Sequence, residues 1–326
     1  MASELSTFVC MEFGINNKGW TVIDCNDGPS LCAVSLKTAV RTSERPQVLT
    51  VAELAGQGSE PDAAALRDLM GQVDRSLPVL MMLARTQYRL RVMPEPTVPQ
   101  REMQATLRWS LSTEGDSPLE DINLAWMRIP TEDQLPSRPK QIYAVTIPKP
   151  WLTARLAAWR QAAVRPKVVD IRETALRNIA GALERPGEGL ALISADTDGV
   201  GMVFTHQGSL YLDRFIEQPL AELQAADSAT RVQLHERIAL QLLRSIDVIG
   251  RSYPFMPITR MVVAPSPESL GLLEHLTAHV PLTVEPLDLN QLFDLSKVPA
   301  LAQSSALQAR CLVPLGAALR SAKAAA

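Results

Sequence analysis

Two acidic, glycine-containing turns hold the residues of this sequence that could act on a phosphate. They are Glu12, Gly14 and Lys18 near the amino terminus, and Asp196, Thr197, Asp198 and Gly199 further along. Backbone amides of paired hairpin turns can hold phosphate oxygens, while a carboxylate orders magnesium and water. This pattern indicates a nucleotide cleft between the two turns. The alternative is that both are plain tight turns.

Other side chains that could bind a metal or react form weaker patterns. His275 and His279 are four residues apart, a spacing that can present two imidazoles to zinc. Their flanking residues do not form His-Glu-x-x-His, and no third ligand is evident nearby, so a solvated helix face is expected. The cysteines form no Cys-x-x-Cys pair, which predicts reduced core thiols. They are Cys10, Cys25, Cys32 and Cys311.

Composition excludes several classes of function. A net charge of -3 over 326 residues provides no excess of positive charge that would favour binding of nucleic acid. No apolar run approaches the roughly 20 residues that span a bilayer, and the first residues lack the basic region of a secretory signal. We therefore expect a cytoplasmic protein, and the length predicts two domains.

The stretch 165–217 organises the chain. Residues 168–171 predict a buried strand and 173–183 a helix, with Arg172, Glu173 and Arg177 on its outer face. A Pro-Gly-Glu-Gly turn at 186–189 ends the helix, and 190–193 predict a second buried strand. The Asp198-Gly199 pair then predicts a hairpin turn, since glycine tolerates positive φ. The boundary between two lobes is placed at this joint.

The flanking regions predict further elements. Residues 8–14 and 19–24 indicate a hairpin, with a possible third strand at 30–34. Trp109 is expected to be a packing anchor on its helix, and Pro314 to delay or kink the last one. Further helices are predicted at 60–77, 100–111, 150–163, 229–251, 267–279 and 305–322, and strands at 79–83, 87–92, 123–127, 142–147, 259–264 and 282–286.

Four short motifs along 104–217 carry a family resemblance. They are Ala105-x-x-Arg108-Trp109, Val169-Asp170-Ile171, Ala175-Leu176-Arg177-Asn178 and Gly208-Ser209-Leu210-Tyr211-Leu212-x-Arg214. With these motifs the chain resembles the MshI group of pilus biogenesis proteins, which are relatives of PilM, the actin-like protein of type IV pilus and type II secretion systems.

The resemblance implies an α/β (α+β) class and an actin-like, ribonuclease H-like fold of two lobes with an inserted 1C-type subdomain. The first lobe would cover 1–185, with the insertion at about 81–166, and the second 186–326. The family's terminal Gly-x-Ala-x-Arg helix, matched here by Gly316 to Arg320, would return toward the first lobe.

The resemblance also implies a function. It is that of a cytoplasmic scaffold of an MSHA-like type IV pilus, docking the cytoplasmic tail of a PilN-like inner-membrane protein and so peripheral to that membrane. A pilus assembly ATPase is a further implied partner. The alternating apolar and basic segment 81–91 offers a surface for the tail, with Arg85, Tyr88, Arg89 and Arg91 as candidate contacts.

Departures from the family pattern argue against enzymatic activity. Glu12 stands where actin-like ATPases have aspartate, and Ala264-Pro265-Ser266-Pro267 stands where a glycine pair would admit adenine and ribose. We therefore expect no catalytic residue and no metal site, with magnesium-bound ATP as the only candidate cofactor. Three alternatives remain: an actin-like ATPase with nucleotide-dependent assembly, a PilM-like component of a type II secretion system, and a small-molecule kinase.

Overall fold

The computed structural model of the chain describes residues 18–24, 30–39, 44–55, 62–113, 121–131, 139–266 and 271–320. The strands within these ranges are β1 Gly19–Asp24, β2 Ser30–Lys37, β3 Gln47–Ala55, β4 Val79–Met82, β5 Arg89–Pro94, β6 Ile122–Ile129, β7 Gln141–Pro148, β8 Val168–Asp170, β9 Gly189–Ala195, β10 Val200–His206, β11 Ser209–Ile216, β12 Ile258–Val263 and β13 Thr283–Pro286. The helices are α1 Ala63–Gly71, α2 Gln100–Thr113, α3 Lys149–Gln161, α4 Arg172–Leu183, α5 Leu220–Ala225, α6 Ser228–Ser252, α7 Leu272–His279, α8 Leu289–Leu292, α9 Pro299–Gln303 and α10 Ser305–Ala318.

Two five-stranded sheets share one topology. The first has the order β3-β2-β1-β4-β8, with antiparallel pairing from β1 to β3 and parallel pairing of β1, β4 and β8. The second has the order β11-β10-β9-β12-β13, with the same antiparallel and parallel halves. Helices lead into the parallel strands, as parallel pairing requires a crossover. The fold is therefore one α/β unit used twice.

A third, smaller sheet lies in sequence between β4 and β8. Its order is β5-β7-β6 and all its pairings are antiparallel. Helix α2 covers one face with Met103, Leu107 and Leu111, which repeat every four residues and pack against Leu124 and Ile142 among others. Strand β5 is left at the edge of this sheet.

Helices α4 and α10 lie between the two large sheets. Helix α10 packs against β1, β2 and β4, whereas α4 packs against β9, β10 and β11, and the two helices contact each other. Their approach is close: a Cβ on Gly316 would lie 2.3 Å from the backbone oxygen of Ala175. After α10, Arg320 donates to Asp170 at 2.8 Å and its carbonyl accepts from the Trp20 indole at 3.3 Å.

The predicted hairpin of 8–14 with 19–24 is wrong. Strand β1 has β2 on one side and β4 on the other, so both of its edges are used and its hairpin partner is β2. The segment 8–14 itself lies outside the described residues. The possible strand at 30–34 is confirmed and extends to Lys37, whereas β3 was not predicted.

Three other predictions also need correction or confirmation. Trp109 is not a packing anchor: it is 63% exposed, because it lies on the side of α2 opposite Leu107. Helix α1 is shorter than predicted, starting after its cap Asp62. Cys32 and Cys311 are buried free thiols with their sulfurs 3.7 Å apart, as expected for core cysteines; Cys10 and Cys25 lie outside the described residues.

Within the described ranges, no helix combines the length and the apolar character needed to cross a membrane.

Candidate functional site

The predicted phosphate-binding residues lie partly outside the described part of the chain. Glu12 and Gly14 lie outside the described residues, and Lys18 is an exposed residue next to the start of β1. Asp196, Thr197, Asp198 and Gly199 form the turn between β9 and β10, as predicted. By topology, the matching turn of the first sheet follows Asp24 at the end of β1, and its residues 25–29 are not described.

The Asp196 turn uses its own hydrogen-bonding groups internally. One carboxylate oxygen of Asp196, Oδ1, accepts from the amide of Asp198 at 3.0 Å and from that of Gly199 at 3.2 Å. Such Asx turns satisfy backbone donors locally. The amides that could have held a phosphate therefore already bind a carboxylate.

The other oxygen of Asp196 is paired with an arginine. Arg172, the first residue of α4, places Nη2 2.9 Å from Asp196 Oδ2, and the same nitrogen donates to Ser194 Oγ at 2.9 Å. Arg172 is 5% exposed. This pair connects the start of α4 to the end of β9, where the two sheets face each other.

The residues around Arg172 leave a space that fits its guanidinium. A Cβ on Gly201 would lie 2.9 to 3.0 Å from its atoms, so glycine leaves the room that the arginine occupies. The ring of Phe215 lies on another side, with its centroid 5.5 Å from Arg172 Cζ, a cation–π distance. Arg172 therefore fills the space beside the Asp196 turn.

A buried carboxylate, that of Glu173, extends this network to the segment before the smaller sheet. Glu173 is 2% exposed and accepts from the hydroxyl of Tyr88 at 2.6 Å, while Arg85 Nε lies 3.3 Å from its other oxygen. The Arg85 guanidinium also lies 5.5 Å from the Phe215 ring centroid. Residues from the segment before β5, from α4, from the β9–β10 turn and from β11 thus lie close together and are here called the interlobe cluster: Arg85, Tyr88, Arg172, Glu173, Asp196, Asp213 and Phe215.

Asp213 gives this cluster a titratable group. Burial, and then the charge of Glu173, raise the pKa of Asp213 to about 8, while Arg85 and Arg172 act in the opposite direction. The carboxyl is therefore largely protonated at neutral pH. This protonation limits the repulsion between two neighbouring acids.

We expect Asp213→Asn to remove a pH dependence of stability. The folded pKa of about 8 lies above the unfolded value of about 3.9, so the folded chain keeps a proton that the unfolded chain has lost. The stability of the wild type then falls as pH rises from about 4 to about 8. As pH rises across this range, the thermal midpoint of the variant should increase relative to that of the wild type. Parallel curves, such as those expected for the exposed Asp247→Asn control, would contradict the assignment.

Of the two phosphate turns that the resemblance implied, only the Asp196 turn is fully described, and its groups are already bound within the chain. The amides of the Asp196 turn are bound by its own carboxylate, and the remaining oxygen is paired with Arg172. A nucleotide phosphate would have to break a largely buried ion pair and displace Arg172.

The four candidate partner-binding residues fall into two groups. Arg85 and Tyr88 belong to the interlobe cluster, and Tyr88 is 3% exposed. Arg89 and Arg91 lie on the edge strand β5, where Val92 is 46% exposed. Only the second group lies at an accessible sheet edge.

Sequence reasoning missed the residues at the centre of the cluster. It assigned Arg172 and Glu173 to the outer face of the helix, which is wrong, because both are buried against the second sheet and the segment before β5. One signal was available: two opposite charges open the helix that begins one residue after the buried strand β8. Nothing in the local pattern distinguishes Asp213 from an exposed strand residue.

Comparisons with known proteins establish the fold. No protein-family model and no curated protein sequence matches the chain. Among solved structures, it is similar to the "PilM-PilN type IV pilus biogenesis complex", with a TM-score of 0.72 at 16% identity over 94% of this chain and 99% of that one.

Two other solved structures support the same fold with lower TM-scores. A Bacteroides thetaiotaomicron protein of "actin-like ATPase fold and unknown function" gives a TM-score of 0.50 at 13% identity over 88% and 96% of the two chains. The cytoplasmic domain of EpsL, an inner-membrane component of the type II secretion system of Vibrio cholerae, gives 0.50 at 14% identity over 93% and 95%. The chain has an actin-like fold, as the motifs implied.

Proposed function

We propose that this chain is a non-enzymatic assembly scaffold of a type IV pilus apparatus, one that docks the cytoplasmic tail of a single-pass inner-membrane protein. The observation that carries this proposal is the state of the Asp196 turn. Two amides of the turn donate to the Asp196 carboxylate, and the same carboxylate pairs with Arg172. An actin-like cleft whose polar groups are already bound in this way favours a rigid protein over one that changes conformation with nucleotide.

The solved complex that the chain resembles supports a partner protein. That complex pairs PilM with PilN, and the similarity covers nearly the whole chain. We propose a PilN-like partner on that basis, and an MSHA-like pilus on the basis of the sequence motifs. The EpsL similarity keeps a type II secretion apparatus as the alternative assembly.

The edge of the three-stranded sheet is the proposed docking surface. Strand β5 pairs with β7 on one side, so its other side can receive an extended peptide as an added strand. Along β5, Arg89 and Arg91 lie on one face while Val92 lies on the other. A tail with acidic and apolar residues in alternation would match both faces.

Charge reversal on β5 tests this docking. We expect the double variant Arg89→Glu, Arg91→Glu to weaken binding of a synthetic tail at least about tenfold, roughly 1.4 kcal/mol, because two attractive contacts become repulsive. The measurement is calorimetric titration with a synthetic peptide that corresponds to the cytoplasmic tail of the proposed PilN-like partner. Tyr88→Ala is avoided, since Tyr88 is buried against Glu173.

The control for this titration is Arg101→Glu. Arg101 is exposed on α2 of the same unit and pairs only weakly with its neighbour Glu102, so tail affinity should stay unchanged. Equal binding by the double variant and the control would reject β5 as the docking edge.

A nucleotide titration in the same instrument separates the scaffold from the ATPase alternative. We expect no binding of magnesium-ATP at millimolar concentration. Tight ATP binding that is lost in Asp196→Ala would instead support a nucleotide-dependent protein and reject the scaffold function.

A further inference from the structure

Two cysteines that are far apart in the sequence come into contact between β2 and α10. Cys32 of β2 and Cys311 of α10 are separated by 279 positions, and their sulfur atoms lie 3.7 Å apart. Both thiols are free and buried, with exposed fractions of 5% and 0%. A disulfide bond holds its two sulfurs about 2.05 Å apart, so a shift of about 1.7 Å, shared between the two side chains, would join them.

The elements that carry the two cysteines are held together by other contacts. Helix α10 packs against β1, β2 and β4 of the first sheet. Next to the cysteine pair, Arg310 Nη2 donates to Glu53 Oε2 at 3.0 Å, and Glu53 stands opposite Cys32 in the register of β2 and β3. After the end of α10, Arg320 donates to Asp170 of β8. The helix is thus fixed on both sides of the pair, and the two sulfurs stay close.

A cavity gives small molecules a route toward the pair. It has a volume of about 230 Å³ and lies between β3, α9 and α10. Its lining includes Val51 and Glu53 of β3 and Leu307 of α10. Glu53 is the register neighbour of Cys32, and Leu307 lies one helical turn before Cys311 on the same face of α10. A small oxidant such as hydrogen peroxide that enters this cavity therefore arrives beside the two thiols.

The surroundings of Cys32 favour its neutral thiol. The hydrogen bond with Cys311 and then burial raise the pKa of Cys32 well above its ordinary value, and the charges of Asp24 and Glu53 add to this effect. Arg310 is the neighbouring charge of opposite sign. Because a cysteine attacks as the thiolate, such a thiol reacts slowly at neutral pH. The reduced pair is therefore the resting form, and its oxidation requires sustained exposure to an oxidant.

We propose that Cys32 and Cys311 form a redox-sensitive modification site, a dithiol that a hydroperoxide entering through the cavity closes to a disulfide between β2 and α10. One cysteine, as the thiolate, attacks a peroxide oxygen; the O–O bond breaks, a sulfenic acid forms and the other oxygen leaves as water once protonated. The second thiol attacks that sulfur, the S–O bond breaks and a second water leaves. Two thiols and one hydrogen peroxide thus give one disulfide and two waters. The site does not depend on the proposed scaffold function.

The test is oxidation of the full chain by hydrogen peroxide, in the wild type and in a Cys10→Ser, Cys25→Ser double variant that keeps only this pair. Remaining thiols are alkylated under denaturing conditions, and the chain is digested for mass spectrometry. We expect a peptide that links Cys32 to Cys311, with no link between chains on a non-reducing gel, and reversal by dithiothreitol. The thermal midpoint of the oxidised chain should rise by at least about 4 °C, because a disulfide that closes a long loop restricts the unfolded chain.

The rate of thiol loss provides a second readout. Below the pKa of the attacking thiol, oxidation should accelerate about tenfold for each unit of pH, since the thiolate fraction rises by that factor. Leu307→Trp narrows the cavity and should slow the reaction. The matched control is Leu243→Trp, at a half-buried leucine of α6 that does not line the cavity, and it should react as the wild type does.

Cys311→Ser separates the two chemical steps. Without the second thiol, Cys32 should stop at the sulfenic acid, which dimedone traps, and the linked peptide should disappear. Thiols of Cys32 and Cys311 that persist in peroxide would overturn the proposal, as would their conversion to sulfinic acids without a link. Equal rates in the two tryptophan variants, or an unchanged thermal midpoint of the oxidised chain, would also contradict it.

Discussion

Replacing Arg172 with alanine is expected to lower the free energy of unfolding by about 3 kcal/mol, the lower end of the range for removing one partner of a buried ion pair, because the Asp196 side chain is 30% exposed. The change leaves Asp196 without its charged partner and removes the donor to Ser194 Oγ. It also opens the space that Gly201 and Phe215 enclose. The measurement is urea denaturation followed by circular dichroism.

Arg251→Ala is the control for this loss. Arg251 pairs with Asp247 at the same 2.9 Å, but the two side chains are 78% and 56% exposed on α6. Exposed pairs of this kind contribute about 0.3–0.5 kcal/mol. If the two arginine variants lose equal stability, then burial of Arg172 between the sheets does not contribute as described.

Gly316→Ala is expected to destabilise the chain by about 1–3 kcal/mol, as overpacking does. The added Cβ would lie 2.3 Å from the Ala175 carbonyl oxygen and 3.0 Å from the Ile179 side chain. Both contacts are with α4, so α4 and α10 must separate. In a free helix the same substitution would be favourable by up to about 1 kcal/mol, so the expected sign is reversed by packing.

Gly250→Ala measures the helix propensity of alanine relative to glycine without a change in packing. Gly250 lies in α6 with nothing within 4 Å of its would-be Cβ, so alanine should be neutral or stabilising there. Comparing thermal midpoints of the two alanine variants separates helix propensity from helix contact. A stabilising Gly316→Ala would show that α4 and α10 do not approach as closely as described.

Both predictions concern how the two sheets are joined. Arg172 and Gly316 lie on the two helices between them, and each position combines close packing with buried polar contacts. These contacts hold α4 and α10 against each other and against the two sheets. Under the proposed function, the partner meets the edge strand β5 and not the space between the sheets.

Much of the fold followed from local patterns in the sequence. The Val168–Asp170 strand, the α4 helix after it and the Asp198-Gly199 turn were all predicted, because short apolar runs and glycine turns express neighbouring-residue preferences. The actin-like class followed from motifs, and solved structures confirm it. The wrong hairpin partner of β1 is a failure of pairing, which depends on distant strands, whereas strand β3 was not identified from the sequence at all.

The sequence by itself determined most of the segments that form strands and helices and where the acidic glycine turn lies. Only the tertiary structure decided what those residues contact. Arg172 and Glu173 read as an exposed helix face until the second sheet covers them, and His235 becomes a neighbour of His275 only when α6 packs on α7. The reason is physical: burial and charge pairing arise between elements that are far apart in the chain, and local periodicity carries no information about which elements will meet.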